Sequence, residues 1–309
     1  MPFDPTQPYE PRGFLNILEL VQILKLKLSP TFDNADAVVV PFGYEGTVTF
    51  GHGADKGPAG LIEASAQVEN FDDELLDYVL NHIKIWTTKQ PELPKEPEAA
   101  CELLKGIVSD LIKGKKLPVV IGGEHAISYG FAQALNEHYQ DISVLVFDSH
   151  FDLGDSESGR DFTHASWLKY SLELPNIKNA TLVGIRNTER LSYEYYQQHQ
   201  DTVKVFFAKD RKNWNVDEIV NSLGENVYLS FDIDAFDGSM IPSTGTPEPG
   251  GPFWDEILPI IKAVAQKKNI VGLDLVELAP IKGFVAPDFM AAKLLMKMIL
   301  YKFKAKELK

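Results

Sequence analysis

The sequence predicts an α/β fold whose mainly parallel sheet is covered by helices on both faces. Short apolar runs alternate with longer helical patterns along the chain, which is the order expected of βαβ units. Several of these runs are continuously apolar, as strands buried in a parallel sheet are. With 309 residues, of which 44% are hydrophobic, the chain can bury a sizeable core.

The first part of the chain contains three of the predicted strands. Residues 1–36 are interpreted as an irregular lead-in with a short helix at 13–28, and residues 37–309 as one domain. The glycine-rich stretch 43–60 has turn chemistry but lacks the Gly-x-Gly-x-x-Gly pattern of a dinucleotide site. Strands are predicted at 37–40, 83–87 and 117–121, helices at 58–66 and 98–113, and a proline-rich loop at 90–97.

The second part continues this alternation. Two apolar runs, 144–152 and 227–234, end in acidic residues, and no change of composition marks a domain boundary. Further strands are predicted at 180–185, 203–207 and 270–275, and helices at 126–138, 164–172, 188–198, 216–223, 253–266 and 287–303.

The apolar run 144–152 ends in three residues that commonly bind metals. It reads Val-Leu-Val-Phe-Asp-Ser-His-Phe-Asp and contains Asp148, His150 and Asp152 at alternate positions. Alternate residues of a strand point to the same face. If the strand continues to its end, the three side chains project together.

Three further candidate ligands follow other strands. Asp232 and Asp234 end the run 227–234, and His125 follows the strand at 117–121 through Gly-Gly-Glu. The glycines allow a sharp turn there. Ligand sites of parallel sheets form beyond the carboxyl ends of the strands, so the six side chains are predicted to share one site.

This set of residue types favours a pair of divalent metal ions. A single Asp or His at a strand end is as often a turn or helix cap as a ligand, but three such motifs are poorly explained by capping alone. Four carboxylates and two imidazoles without a thiolate suit Mn²⁺ better than structural zinc. Two ions can lower the pKa of a shared water enough to generate a nucleophile near neutral pH. Hydrolysis is therefore the predicted reaction class.

Composition argues against several other classes of function. A net charge of −14 disfavours binding of nucleic acid, which requires a basic face, whereas an acidic surface attracts cationic substrates and metal ions. No apolar run is long enough to span a membrane, and no signal-peptide pattern occurs at the N-terminus. Cys101 is the only cysteine, which fits a reducing compartment, so we expect a cytoplasmic protein.

Four segments resemble the signature blocks of the ureohydrolase (arginase and agmatinase) family. The resemblance extends over nearly the whole chain from the first strand to the last helix. It implies a three-layer α/β/α sandwich with a central, mainly parallel sheet, and hydrolysis of a guanidinium-type carbon to urea at a binuclear Mn²⁺ centre. The segments are Gly122-Gly123-Glu124-His125, Asp148-Ser149-His150-Phe151-Asp152, Ser-Phe-Asp-Ile-Asp-Ala-Phe-Asp at 230–237, and Val276-Glu277-Leu278-Ala279-Pro280.

The resemblance also implies roles for individual residues. His164 matches the family's proton-shuttling histidine, and Glu277 matches the carboxylate that pairs with the substrate guanidinium. Asp234, or a neighbouring carboxylate, would hold the proton of the attacking nucleophile. One ion would be held by His125, Asp148, Asp152 and Asp232, and the other by Asp148, His150, Asp232 and Asp234.

Two positions depart from the family pattern, and two others bear on the substrate. Ser149 stands where alanine is usual, and Gly238 stands where proline is common. The loop after Asp152, which begins Leu-Gly-Asp-Ser, lacks the asparagine that in arginases helps to hold the substrate α-carboxylate. Asn187 replaces an aspartate that in arginases contacts the α-amino group. Both changes disfavour arginine.

Three segments are most similar to those of agmatinase-type members of the family: Tyr44-Glu45-Gly46-Thr47, His164-Ala165-Ser166 and residues 244–251. The expected substrate is therefore the small cation agmatine, which yields putrescine and urea. Aminopropylagmatine, guanidinobutyrate, arginine and formiminoglutamate are alternative substrates. A catalytically silent metal-binding scaffold is an alternative of another class. The resemblance also implies a homo-oligomer, a trimer or hexamer.

Overall fold

The computed structural model describes residues 3–8, 30–48, 50–154 and 162–308. Within these ranges eight strands form a central sheet in which every neighbouring pair is parallel. The eight strands are β1 Ala37–Phe42, β4 Ile85–Thr87, β5 Leu117–Gly122, β6 Ile142–Phe147, β7 Ile177–Ile185, β8 Val203–Phe207, β9 Asn226–Asp232 and β10 Asn269–Val276. Their order across the sheet is β4-β1-β5-β10-β9-β6-β7-β8.

The strand order brings the strands that precede the candidate ligands to the centre of the sheet. The four central strands are β5, β10, β9 and β6. Their carboxyl ends lead directly into His125, Glu277, Asp234 and Asp148, respectively. Because all four strands run in the same direction, these residues emerge at one edge of the sheet.

Helices cover both faces of the sheet, because successive residues of the strands point to opposite sides. In β6, Val144 and Val146 face one apolar core, and Leu145 and Phe147 face the other. One layer contains α1 Gly57–Ser65, α6 Val216–Asn221, α7 Trp254–Lys267 and α8 Ala286–Lys304. The other contains α2 Pro97–Lys113, α3 Ser128–His138, α4 Trp167–Leu172 and α5 Arg190–Gln198. The three-layer α/β/α fold class is therefore confirmed.

The structure contains a hairpin that the sequence did not predict. A short antiparallel hairpin is formed by β2 Phe71–Asp72 and β3 Asp77–Tyr78. It is fixed to the last helix by Lys297, whose buried ammonium lies 2.7 Å from a carboxylate oxygen of the fully buried Asp72. Strands this short carry no periodic signal, and their position depends on this distant contact.

Other predictions differ from the structure mainly at the element boundaries. The predicted helix at 13–28 lies outside the described residues. The predicted helix at 164–172 is a 3-10 turn, His164–Ser166, followed by α4. Among the described residues, no helix has the length and apolar character needed to cross a membrane.

Candidate active site

The ligands predicted from alternate strand positions do converge, but through loops and not through strand alternation. Strand β6 ends at Phe147, and residues 148–152 form an irregular segment. In this segment Asp148 Oδ1 accepts a hydrogen bond of 2.6 Å from the His150 amide, and Asp152 adopts a left-handed backbone with φ of 50°. The condition that the strand continues to Asp152 is therefore not met. A loop can turn carboxylates from several directions toward one point, which a pleated strand cannot do.

Asp232 and Asp234 show the same departure from strand geometry. Strand β9 ends at Asp232, and Asp234 lies in the 3-10 turn Ile233–Ala235. The Asp232 side chain accepts a hydrogen bond of 2.8 Å from the Asp234 amide and so caps this turn. The capping role and the candidate ligand role therefore coexist in one residue.

The first cluster of candidate ligands surrounds His125. Its Nδ1 atom lies 3.2 Å from Asp148 Oδ2, 3.2 Å from Asp152 Oδ2 and 3.3 Å from Asp232 Oδ2. His125, Asp148 and Asp152 offer ligand atoms that all lie within 4.8 Å of one another. All four side chains are buried. This group could hold one metal ion.

The second cluster surrounds His150, which is partly exposed. His150 Nδ1 lies 3.0 Å from Asp234 Oδ2 and 3.5 Å from Asp148 Oδ1. These three residues also offer ligand atoms within 4.8 Å of one another. Asp148 belongs to both groups and faces each with a different oxygen. The geometry therefore suits two ions that share a carboxylate.

The site fits cations on two independent grounds. His125 Nδ1 and Asp148 Oδ2 are buried atoms without a hydrogen-bond partner among the described residues, and such atoms are expensive to bury unless something binds them. Burial and the charges of Asp234 and Asp148 raise the pKa of Asp232 well above its usual value. The carboxylates likewise hold the pKa of both His125 and His150 above its usual value, although burial opposes this. Divalent ions can replace the retained protons.

A buried chain of hydrogen bonds orients His125. Its Nε2 atom lies 2.9 Å from Ser230 Oγ, which donates a 2.7 Å hydrogen bond to Asp274 Oδ1. Asp274 is fully buried and also accepts from Ser128 Oγ and from the Tyr228 hydroxyl. Because Ser230 donates to Asp274, it accepts from His125 Nε2–H. This leaves Nδ1 as the free ligand atom, the usual arrangement for a histidine ligand.

Trp167 contacts two residues of the His125 cluster. Its indole Nε1 donates a hydrogen bond of 2.8 Å to Asp152 Oδ2. Its ring lies 4.6 Å from the His125 ring, centroid to centroid. Trp167 is fully buried, so it fixes ligands from beneath the site.

Glu277 lies beside the first cluster. It follows β10 in a left-handed conformation with φ of 64°, and its Oε1 accepts a 2.6 Å hydrogen bond from the His125 amide. Burial and the charge of Glu124 raise the pKa of Glu277 to about 8. A carboxylate held in this way is stabilised by a cationic partner.

His164 connects to the site through Thr47 and Glu124. Its Nδ1 lies 3.1 Å from Thr47 Oγ1, and its amide donates to the same oxygen at 3.0 Å. Thr47 Oγ1 in turn donates to Glu124 Oε1 at 2.7 Å. Glu124 precedes His125 and is fully buried. The structure therefore joins the separately predicted His164 to the strand end that carries a ligand.

Asn187 lies between the second cluster and a loop carboxylate. Its Nδ2 is 3.3 Å from His150 Nε2 and donates to Glu248 Oε1 at 2.7 Å. Arg186 fixes the same loops by donating to the carbonyl oxygens of Asp234, Phe236 and Glu248. Asn187 thus connects His150 of the second cluster to the carboxylate of Glu248.

Several of these residues could not be recognised from the sequence. Asp274 lies inside a strand, where a polar residue in an apolar run was the only signal. Ser230 lies in a recognised block, but its position inside a strand does not indicate its contact with His125. Glu124 lies in a recognised block, but its sequence neighbours indicate only a turn. Thr47 and Glu248 lie in glycine- and proline-rich loops far from the ligands in sequence, so only the fold reveals their proximity.

Comparison with known proteins identifies the family. The Arginase family model matches residues 35–301. An N(1)-aminopropylagmatine ureohydrolase of Synechocystis sp. is 33% identical over 291 residues, which cover 91% of this chain and 93% of that protein. An agmatinase of Pyrococcus horikoshii is 32% identical, with 87% of this chain and 94% of that protein covered.

A solved structure supports the fold. The agmatine ureohydrolase of Thermoplasma volcanium superposes with a TM-score of 0.80 at 24% identity, covering 93% of this chain and 99% of that chain. The extent of the family match, together with relatives above 30% identity over most of the chain, decides the classification. The chain belongs to the arginase family and is a ureohydrolase, a hydrolase of guanidino C–N bonds.

Proposed function

We propose that this protein hydrolyses agmatine to putrescine and urea at a pair of Mn²⁺ ions. The observation that carries the proposal is the pair of ligand groups that share Asp148, each with one histidine and a further aspartate. The donor set of carboxylates and imidazoles without thiolate suits Mn²⁺.

Six residues would hold the two ions. His125, Asp152 and Asp148 surround one position, and His150, Asp234 and Asp148 surround the other. Asp232 completes the set, because its Oδ2 lies 3.3 Å from His125 Nδ1. When bound, such a pair supplies Lewis acidity and lowers the pKa of water to generate a nucleophile near neutral pH.

The remaining roles belong to residues that contact the cluster. Glu277 orients the substrate guanidinium by a charge-assisted hydrogen bond, because its carboxylate is fixed by the His125 amide. Asp234, whose Oδ1 is anchored by the Ser149 amide, holds the proton that the nucleophile releases. The imidazole of His164 delivers a proton to the departing amine.

The substrate assignment has two sources of support. Beside the second cluster lie the neutral side chain of Asn187 and the acidic side chain of Glu248. This pair suits a substrate tail that bears an amine better than one that bears a carboxylate. The relatives named above act on agmatine or on N(1)-aminopropylagmatine by their names. Aminopropylagmatine is therefore the second candidate, since it has the same guanidino end and a longer cationic tail.

The test is urea release by Mn²⁺-loaded protein from agmatine, aminopropylagmatine, arginine, guanidinobutyrate and formiminoglutamate, with formamide measured for the last. We expect kcat/KM to be highest for agmatine. Preference for aminopropylagmatine would select the second candidate, and preference for arginine or an acid would contradict the roles given to Asn187 and Glu248. No turnover with two metals bound per chain would favour a guanidino substrate outside this panel or a catalytically silent scaffold.

Two further expectations stay predictions. The trimer or hexamer implied by the family resemblance is tested by light scattering coupled to gel filtration. The cytoplasmic localisation is tested by cell fractionation.

A further inference from the structure

Thr47 occupies a position where each of its hydrogen bonds constrains the others. Its Oγ1 atom contacts Glu124 Oε1 at 2.7 Å, the His164 amide nitrogen at 3.0 Å and His164 Nδ1 at 3.1 Å. The threonine side chain is buried. A hydroxyl has one proton to donate and two lone pairs that accept, so the three contacts use its whole capacity.

The direction of each hydrogen bond follows from the partners. Glu124 also accepts from the Thr47 amide at 2.7 Å and from the Gly46 amide at 2.9 Å. The Glu124 carboxylate accepts all three of these bonds, two from amides and one from the Thr47 hydroxyl. The Thr47 proton therefore points to Glu124. The His164 amide can only donate, so it takes one lone pair of Thr47 Oγ1.

The remaining lone pair determines the state of the imidazole. Since Thr47 has no second proton, its contact with His164 Nδ1 is a hydrogen bond only if Nδ1 carries the hydrogen. A neutral imidazole has one hydrogen on its two nitrogens. Nε2 of His164 is then the nitrogen with the free lone pair.

We propose that Glu124 and Thr47 form a tautomer lock that holds neutral His164 with its proton on Nδ1, so that Nε2 is the atom that accepts and delivers protons. This inference rests on the proposed role of His164 in proton delivery. Glu124 and Thr47 are positioning residues, since they act through His164.

The direct test is ¹⁵N NMR of protein with labelled histidines, recorded metal-free and loaded with a diamagnetic divalent ion. The chain has seven histidines, and the His164 signals are assigned by their loss in His164→Asn. We expect the neutral ring to show a protonated Nδ1 and an unprotonated Nε2, whereas the opposite tautomer predominates for free histidine in water. A protonated Nε2 in the neutral wild-type ring would overturn the proposal.

A matched pair of variants provides the functional test. Thr47→Val keeps the shape but removes the hydroxyl, and Thr47→Ser keeps the hydroxyl. We expect Thr47→Val to lower kcat roughly 100-fold, within the range that general acid–base catalysis contributes, and to shift the His164 signals toward the Nε2–H tautomer. Thr47→Ser should restore the Nδ1–H tautomer and most of kcat.

A double-mutant cycle separates positioning from a structural role. In the His164→Asn background, Thr47→Val should lower kcat by less than about 2-fold, because the group it acts on is absent. An undiminished effect in that background would show that Thr47 only supports the loop, and would overturn the proposal.

The proposed function can fail independently of the lock. If no guanidino substrate is hydrolysed, the NMR measurement on the wild-type protein still decides the tautomer. If Thr47→Val does not fold, Thr47→Ser and the wild-type spectra still do so.

Discussion

Ser149 is the departure from the family pattern that touches the site most directly. Its hydroxyl lies 3.0 Å from His150 Nδ1, which is the atom that faces the second cluster. A metal ion bound by His150 Nδ1 would need this contact to break. In the proposed metal centre, the hydroxyl would therefore compete with the ion for His150 Nδ1.

We expect Ser149→Ala to bind divalent metal more tightly at the second position. Loss of one neutral hydrogen bond corresponds to about 0.5–1.5 kcal/mol, or roughly 2- to 10-fold in affinity. The measurement is calorimetric titration of metal-free protein with Mn²⁺. Binding at the first position provides the internal control, because the Ser149 hydroxyl contacts His150 of the second group. Weaker binding by Ser149→Ala at the second position would show that the hydroxyl assists the metal.

The identities of the candidate ligands could be predicted from sequence, but the residues that orient them could not. Asp148, His150 and Asp152 are recognisable because three side chains that commonly bind metals directly follow an apolar strand run. Asp274 gives no such signal, since a single aspartate within an apolar run does not distinguish a buried polar group from a strand end. Its role depends on Tyr228 and Ser128, which lie on other elements.

Gly238, the other departure, is explained by its neighbours. A Cβ atom there would lie 2.8 Å from the Pro247 carbonyl oxygen. The Gly238 amide donates a 3.0 Å hydrogen bond to the Glu248 carbonyl oxygen, which proline could not donate. The loop that carries Glu248 therefore requires glycine at this position.

The hairpin formed by β2 and β3 depends on ion pairs with the last helix. Lys297 on α8 is only 3% exposed, and its ammonium lies 2.7 Å from Asp72, 3.0 Å from Glu74 and 3.1 Å from Asp73. Burial opposes ionisation of Glu74, but the hydrogen bonds from Lys262, Tyr301 and Lys297 lower its pKa to about 2. Removing one partner of such a network leaves a buried charge without compensation, which destabilises the folded state.

We expect Lys297→Met to destabilise the protein by about 3–5 kcal/mol, because it leaves the buried Asp72 carboxylate without a cationic partner. The measurement is the free energy of unfolding in urea. Lys262→Met is the matched control, since Lys262 also pairs with Glu74 but is more exposed than Lys297. It should cost about 1 kcal/mol or less. Equal effects of the two variants would contradict the central position of Lys297.

The first turn of α8 contains a carboxylate whose environment opposes its charge. Asp288 is 8% exposed, and its Oδ1 has no hydrogen-bond partner among the described residues. Burial and the charge of Glu63 raise the pKa of Asp288 from 3.8 to about 6. Between these pH values the folded state binds more protons than the unfolded state, so the free energy of unfolding falls as pH rises.

We expect Asp288→Asn to remove this pH dependence. Relative to wild type, the variant should gain about 1 kcal/mol in the free energy of unfolding between pH 4.5 and pH 7.5, after allowance for solvent screening. Urea denaturation at the two pH values provides the measurement. Glu63→Gln should give a smaller change of the same sign in the free energy of unfolding. If the difference between Asp288→Asn and wild type does not vary with pH, the raised pKa of Asp288 is refuted.

The order of strands and helices was predictable because each continuous apolar run becomes a strand of the parallel sheet. Their arrangement in space was not, because the sequence order does not place β10 between β5 and β9. That insertion brings Glu277 beside His125. The site therefore depends on long-range topology that local patterns do not contain.

The charge of the whole molecule bears on the choice of substrate. The chain has 44 acidic and 30 basic residues and a net charge of −14. Such a field raises the local concentration of cations and speeds their association, and salt screens it over a Debye length of about 8–10 Å near physiological ionic strength. Agmatine bears two positive charges, whereas guanidinobutyrate has no net charge.

We therefore expect kcat/KM for agmatine to fall by roughly 3- to 10-fold between 20 and 200 mM salt, and that for guanidinobutyrate to change by less than about 2-fold. The comparison uses one enzyme preparation with saturating Mn²⁺, so that metal occupancy is the same for both substrates. A parallel fall for both would attribute the salt effect to the enzyme and not to the charge of the substrate. No change for agmatine would show that the acidic surface lies away from the site and that the local carboxylates, Glu248 among them, do not attract the cation. An increase would show that the site repels cations.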